Sequence, residues 1–261
     1  MRALRSTFTL LCLFGWVLIM APLQVVMLTV APRHRYVLPQ LFHSGLCRLF
    51  RVKLVIHGTP SQKHPTLFVF NHISWLDIPV IGKALKGSFV AKKEVAGYPA
   101  IGWLAKLQQT IFIARTRPAV KNHKDDMQIH LEQGDSIFLF PEGTSSNGIV
   151  LQNFKSAYFA LAEGHNGDMP LTVQPVTLAF SQMDNLMMTR STMGIVAWVG
   201  DEELISHVWQ FLNAGRVTAE LRFHEPVTID QYASRKEMAR DCQNTVSEGL
   251  ARALTGRPEK Q

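Results

Sequence analysis

Residues 66–79 read TLFVFNHISWLDIP, and their order of residue types decides the fold. TLFVF is a short apolar run of strand-forming residues. NHIS is polar, and a helical pattern over Leu76–Leu85 follows. Pro79 fixes where that helix starts. A proline is tolerated in the first turn, where its missing N–H needs no partner. A helix beginning at Leu76 or Asp77 accommodates it, whereas one capped by Ser74 puts it one residue too deep. The stretch is therefore a strand–loop–helix unit with polar residues at the strand end.

The same alternation runs outward in both directions. Val52–His57, Phe89–Ala91, Ile111–Ala114, Ser136–Phe140, Thr172–Ala179, Ile195–Val199 and Val217–Phe223 read as further strands. Pro99–Leu107, Val120–Glu132, Lys155–Glu163 and Ala233–Leu254 read as helices. In the last, Met238, Cys242, Val246 and Leu250 recur every four residues on one side. The expected class is α/β, a mixed sheet covered by helices.

The N-terminus has another character. Between Ser6 and Pro32 no residue is charged, and FTLLCLFGWVLIMAPLQVVMLTVA is long enough to cross a ~30 Å hydrocarbon layer. Arg2 and Arg5 flank it on one side, Arg33 and Arg35 on the other, which blurs the orientation signal. Pro22 allows a kink or a hairpin within one leaflet. No A-x-A cleavage site follows, so the expectation is a retained membrane helix or helical hairpin. YVLPQLFHSGLCRLF, residues 36–50, fits an interfacial helix or an ordinary one packed on the domain. The division expected is a membrane-anchoring segment over 1–50 and a catalytic domain over 51–261.

Composition narrows the partners. The 261 residues carry a net charge of +7, which favours anionic lipid head groups, phosphorylated substrates or nucleic acid. The basic residues are scattered and no recognition motif appears, so nucleic acid is not expected. Cys12, Cys47 and Cys242 lie far apart, with no disulfide or zinc pattern, and point to a reducing compartment. His123 and His130 share a polar helix with Asp125 and Asp126, a solvated face, and no histidine shows metal-ligand spacing.

Two short stretches carry chemistry. His72 precedes Asp77 by five residues. On one continuous helix these positions diverge by about 140°. With His72 in the loop and Asp77 opening the helix they can meet. Neutral His72 is then a general base for an alcohol, and Asp77 fixes its tautomer and stabilises the imidazolium. The same residues also fit a capping box, Ser74-x-x-Asp77. The second stretch is LFPEGTSSNG, residues 139–148, at another strand end. Glu142 there can accept from substrate hydroxyls, while Gly143 and Thr144 offer N–H groups and a hydroxyl to an anion. A plain Pro/Gly turn has the same composition.

Taken in order, the stretches resemble the 1-acylglycerol-3-phosphate acyltransferase family, the glycerophospholipid acyltransferases. The residues carrying the resemblance are Asn71, His72, Ser74 and Asp77; Phe112, Ile113 and Arg115; Phe140, Pro141, Glu142, Gly143 and Thr144; and Val173, Gln174, Pro175 and Val176. AKKEVAGYPAIGW fits through Lys92, Lys93, Glu94, Pro99 and Gly102, and FKSA through Phe154 and Lys155. The resemblance implies that His72 deprotonates the acceptor hydroxyl, with Asp77 orienting it. The oxygen then attacks the thioester of acyl-CoA or acyl carrier protein, with no metal and no other cofactor. It further implies that Arg115, Glu142, Gly143, Thr144 and Ser74 bind the acceptor, and that Lys92 is a candidate for the donor's phosphates. The catalytic domain is expected on the cytoplasmic side of a membrane, a bacterial inner membrane. One departure bears on the acceptor. The family's third motif often continues with arginine, and here Ser145 stands there. EGTSSNG with the downstream VAWVGDEEL is similar to a branch that acylates lyso-ornithine lipid. A lysolipid such as 1-acylglycerol-3-phosphate and lyso-ornithine lipid thus both stand as acceptors. Two readings from other classes remain: a hydrolase with Ser74 as nucleophile, although no G-x-S-x-G elbow is present, and a non-catalytic membrane lipid-binding protein.

Overall fold

TLFVF forms a strand buried on both faces, and that makes it central. A computed structural model describes residues 2–113, 119–163, 170–200 and 202–256. Its strands are β1 (Val52–His57), β2 (Thr66–Phe70), β3 (Ser88–Lys92), β4 (Ile111–Ile113), β5 (Ile137–Leu139), β6 (Thr172–Met183), β7 (Leu186–Met187) and β8 (Val217–Phe223). They join in one sheet of order β1-β8-β6-β2-β5-β3-β4, with β7 paired to β6. From β6 to β4 the strands are parallel, while β8 runs antiparallel to β6. The sheet is thus mixed, as the sequence suggests.

Side chains alternate across it. Leu67, Val69, Ile137, Leu139 and Val173 face one layer, made by α5 (Ala119–Glu132), α6 (Ala160–Glu163) and α9 (Arg235–Thr255). Phe68, Phe70, Phe138, Val176 and Leu178 face the other. That layer holds α2 (Val37–Leu49), α3 (Asp77–Ala84), α7 (Arg190–Val196) and α8 (Leu204–Asn213). Phe70 and Phe138 are fully buried there, edge to face, each contributing roughly 1.5–3 kcal/mol of burial. The short α4 (Ile101–Leu107) leads into β4 at the sheet edge.

The apolar N-terminus is one helix, α1 (Arg2–Val30), continuous through Pro22. The chain turns instead at a 3₁₀ turn, Pro32–His34, and α2 returns along α1. Trp16 Nε1 donates to Phe42 O at 3.2 Å, and Gln24 Nε2 donates to Arg35 O and Leu107 O at 2.8 and 3.0 Å. A break at Pro22 would lose the Gln24 bonds. α2 is packed on the domain, burying His43, Leu46 and Cys47 against α3.

Two local expectations differ from the structure, and one helix is unexpected. Ile195–Val199 is no strand: α7 ends there, nucleated by a reciprocal Thr189–Thr192 capping box. A short apolar run alone does not distinguish the two. Lys155–Glu163 is a 3₁₀ turn, Ser156–Phe159, running into the single turn α6. α8 is a helix that the sequence reading passes over.

Candidate active site

The parallel strands place the chemistry. β2 ends at Phe70 and β5 at Leu139, so the loops beginning with Asn71 and Phe140 leave the same C-terminal edge, where α/β sheets bind ligands. Lys92 is the last residue of β3, at that same edge.

Asn71 locks the first loop. Its Nδ2 donates to Leu178 O and its Oδ1 accepts from Leu178 N, both at 2.8 Å. This continues the β2–β6 pairing by a side chain. His72 follows in the loop, and α3 starts at Asp77 with Pro79 as its third residue. Asp77 N donates to Ser74 O at 3.1 Å. The Asp77 side chain turns back, and its Oδ2 accepts from Ile73 N at 2.7 Å, Ser74 N at 3.0 Å and His72 Nδ1 at 2.7 Å. The break between loop and helix thus lets the pair meet. Ser74 contributes through its backbone. Its Oγ is fully buried, without a hydrogen-bond partner among the described residues.

The electrostatics of the pair are asymmetric. Asp77 is 0% exposed, whereas the His72 side chain keeps 21% of its surface. With Nδ1–H committed to Asp77, the lone pair lies on Nε2, which bonds to none of the described residues. Phe140 stacks on the imidazole with centroids 4.3 Å apart and planes at 24°. The ring is held on one edge and one face.

The second loop supports the first. Glu142 Oε1 accepts from His72 N at 2.7 Å, and Oε2 accepts from Gln152 N at 2.6 Å. Ser146 N donates to His72 O at 2.8 Å. Glu142 is buried, and burial pushes its carboxyl up to about 7 against the pull of the two N–H donors. Gly143 takes φ +70, and a Cβ there would stand 2.7 Å from Lys155 Nζ. An ammonium thus lies over the Glu–Gly turn. Thr144 is exposed beside it. Lys92 is exposed at its strand end, and Arg115 falls outside the described residues.

The structure therefore brings together His72, Asp77, Glu142, Gly143 and Lys155. Phe140 and Gln152 were not singled out for a role. Phe140 carried a signal, since it stands between β5, which pairs with β2, and the Pro-Glu-Gly turn. Gln152 acts through backbone N–H and leaves no residue-type signature. Gln174, in the fourth motif, staples loops: it accepts from Ser61 N at 2.8 Å and donates to Thr59 O and His224 O at 3.0 and 2.8 Å.

The chain is similar to known proteins over most of its length. Residues 53–179 match the Acyltransferase family. A lyso-ornithine lipid O-acyltransferase of Brucella abortus is 36% identical over 240 residues, 90% of each chain. Another from Rhizobium meliloti is 32% identical over 244 residues, 92% of this chain and 84% of its own. The crystal structure of the 1-acyl-sn-glycerophosphate acyltransferase PlsC from Thermotoga maritima superposes over the whole of both chains, with TM-score 0.69 and 19% identity, a likeness of fold.

Proposed function

The chain belongs to the acyltransferase family, and from that membership we propose that it transfers a fatty acyl group from a thioester carrier to the hydroxyl of a lysolipid, with lyso-ornithine lipid as the acceptor. One observation carries the reading. The His72–Asp77 pair lies 2.7 Å apart, and Nε2 of the part-exposed imidazole bonds to none of the described residues.

An alcohol is a weak nucleophile at neutral pH. His72 Nε2 takes its proton as the oxygen attacks the thioester carbonyl. Buried Asp77 stabilises the imidazolium that forms. The tetrahedral intermediate collapses, the C–S bond breaks, and the thiolate takes the proton back from His72. Acyl-CoA or acyl carrier protein supplies the thioester, and this route needs no metal. Glu142 positions His72 through its backbone N–H. Lys155 and Lys92 place positive charge where the donor's phosphates arrive. Arg115 is assigned to the acceptor with Gly143 and Thr144.

The acceptor is chosen on two grounds. The lyso-ornithine enzymes match across nearly the full chain, beyond the motif region. Ser145 stands where a guanidinium for a phosphate dianion would be, and its hydroxyl instead donates to Trp198 O.

The apolar helix α1 and the lipid enzymes that resemble the chain indicate membrane association. We place the catalytic edge on the cytoplasmic side, with α1 lying in one leaflet. The test is direct. Purified protein receives acyl-acyl carrier protein or acyl-CoA with lyso-ornithine lipid or lysophosphatidic acid, and products are resolved by mass. Acylation of lyso-ornithine lipid at higher kcat/KM is expected, while transfer to lysophosphatidic acid alone would contradict the acceptor.

A further inference from the structure

A pocket of about 480 Å³ lies beside the active site, outside the catalytic motifs. Its walls come from two segments, the loop after the Glu–Gly turn and the strap from α7 to α8. Three contacts fix them to the His72 loop and to each other. Trp198 N donates to Ile73 O at 3.0 Å. Ser145 Oγ donates to Trp198 O. Gly148, at φ +73, lies so close to Ile73 and Met193 that a Cβ would stand 3.1 Å from the isoleucine and 2.7 Å from the methionine sulfur. The strap thus begins one residue from the proposed base.

The lining combines two opposite charges with apolar surface. Arg190 and Glu202 line it together with Ile149, Val150 and Val199. Neither charged side chain makes an ion pair among the described residues, with the other or with any third group. Asn147 is occupied within its own loop, its Oδ1 accepting from Ile149 N and Val150 N. Just after Glu202, α8 presents Ile205, 76% exposed, and Trp209, 41% exposed, four residues apart on one face. Arg5 of α1 donates to Leu212 O and Ala214 O at the far end of α8. The pocket therefore adjoins apolar surface that continues toward the membrane helix.

We infer that this pocket is the head-group site for a zwitterionic amino-acid lipid, with Arg190 taking a carboxylate and Glu202 an ammonium. The inference rests on the acceptor reading above and extends it to named residues. Ornithine acylated on its α-amine keeps one carboxylate and one δ-ammonium, which complements the two pocket charges in sign. A guanidinium suits a planar carboxylate through paired N–H donors. A phosphate monoester would meet one cation and an opposing carboxylate, so the pair also disfavours lysophosphatidic acid. The apolar rim accepts the first carbons of the acyl chain, and the nearby His72 loop lets the hydroxyl of that chain reach Nε2.

The test uses the full-length enzyme in detergent and three acceptors: lyso-ornithine lipid, its δ-N-acetyl derivative and lysophosphatidic acid. Glu202→Gln is expected to raise KM for lyso-ornithine lipid about tenfold, the scale of one hydrogen bond to a charged group, with a smaller effect on kcat. The wild type should show a similar rise with the acetylated lipid, and Glu202→Gln should no longer separate the two. Arg190→Gln should raise KM for both. Both side chains are exposed and make no ion pair among the described residues, so the fold should survive. Unchanged KM in both variants, or undiminished discrimination by Glu202→Gln, would overturn the pocket assignment while leaving the acceptor intact. A wild type that acylates only lysophosphatidic acid would overturn the acceptor reading, and this inference with it.

Discussion

The role proposed for His72 rests on three neighbours that each remove one freedom. Asp77 fixes the Nδ1 edge, Phe140 covers a face, and Glu142 holds the backbone N–H. Asp77→Asn keeps the shape but weakens the acceptor for three N–H donors, and a turnover loss of about 10²–10⁴ is expected with little change in KM. Steady-state kinetics on the solubilised protein checks it. Glu142 gives a pH signature. Its folded pKa, about 7, lies above the ordinary carboxylate value, so the folded state holds its proton more tightly. The stabilisation from this group is complete below about pH 4.5 and is lost as pH rises through about 7, on the order of 3 kcal/mol. Thermal unfolding of wild type and Glu142→Gln at pH 5 and pH 8 should show the wild type losing more stability on going to pH 8. Parallel pH slopes would contradict the burial account. The His72–Asp77 pairing was legible because Pro79 dated the helix start. The Phe140 stack and the Gln152 bond were not, since both arise from strand pairing and backbone geometry rather than residue type.

Among elements, the decisive one is the β2–loop–α3 unit. Asn71 carries its edge by replacing a ladder bond pair with a side-chain amide. Asn71→Ala leaves a buried N–H and C=O of Leu178 without partners, so a loss of roughly 2–5 kcal/mol is expected in thermal or denaturant unfolding. Activity should fall as well, because His72 is the next residue. A change under 0.5 kcal/mol would show that the amide is not holding the loop. The strand positions were readable from apolar runs bounded by Gly, Pro and polar residues. The α7–α8 strap was not. IVAWV has the composition of a strand, yet the Thr189–Thr192 cap commits the chain to a helix, and α8 buries His207, whose Nδ1 accepts from Trp75 Nε1 at 2.9 Å. Such a contact, between residues 132 positions apart, leaves no local pattern.

For the whole molecule, α1 is the element that bears on membrane association. It is tied to the body from Arg5 to Gln24, about 28 Å of helix at 1.5 Å per residue. Arg35 pins the following turn to Asp135 at 2.6 Å. Leu4, Phe8, Leu11 and Leu18 remain exposed on its outer side. A helix lying along its domain in this way inserts beside it rather than standing away from it. Membranes washed in high salt should retain the protein and detergent should release it, and release by salt alone would contradict hydrophobic anchoring. The anchor was legible from length and lack of charge, but its attachment along the domain was not, because Gln24 and Trp16 read as ordinary members of an apolar run. In the proposed function a lysolipid hydroxyl reaches the sheet edge, and His72 takes its proton. The rate of acyl transfer by His72→Ala, measured beside wild type with matched thermal unfolding, is the most direct test. A fall of at least about 100-fold at unchanged stability is the expected result, and transfer near the wild-type rate would contradict the account.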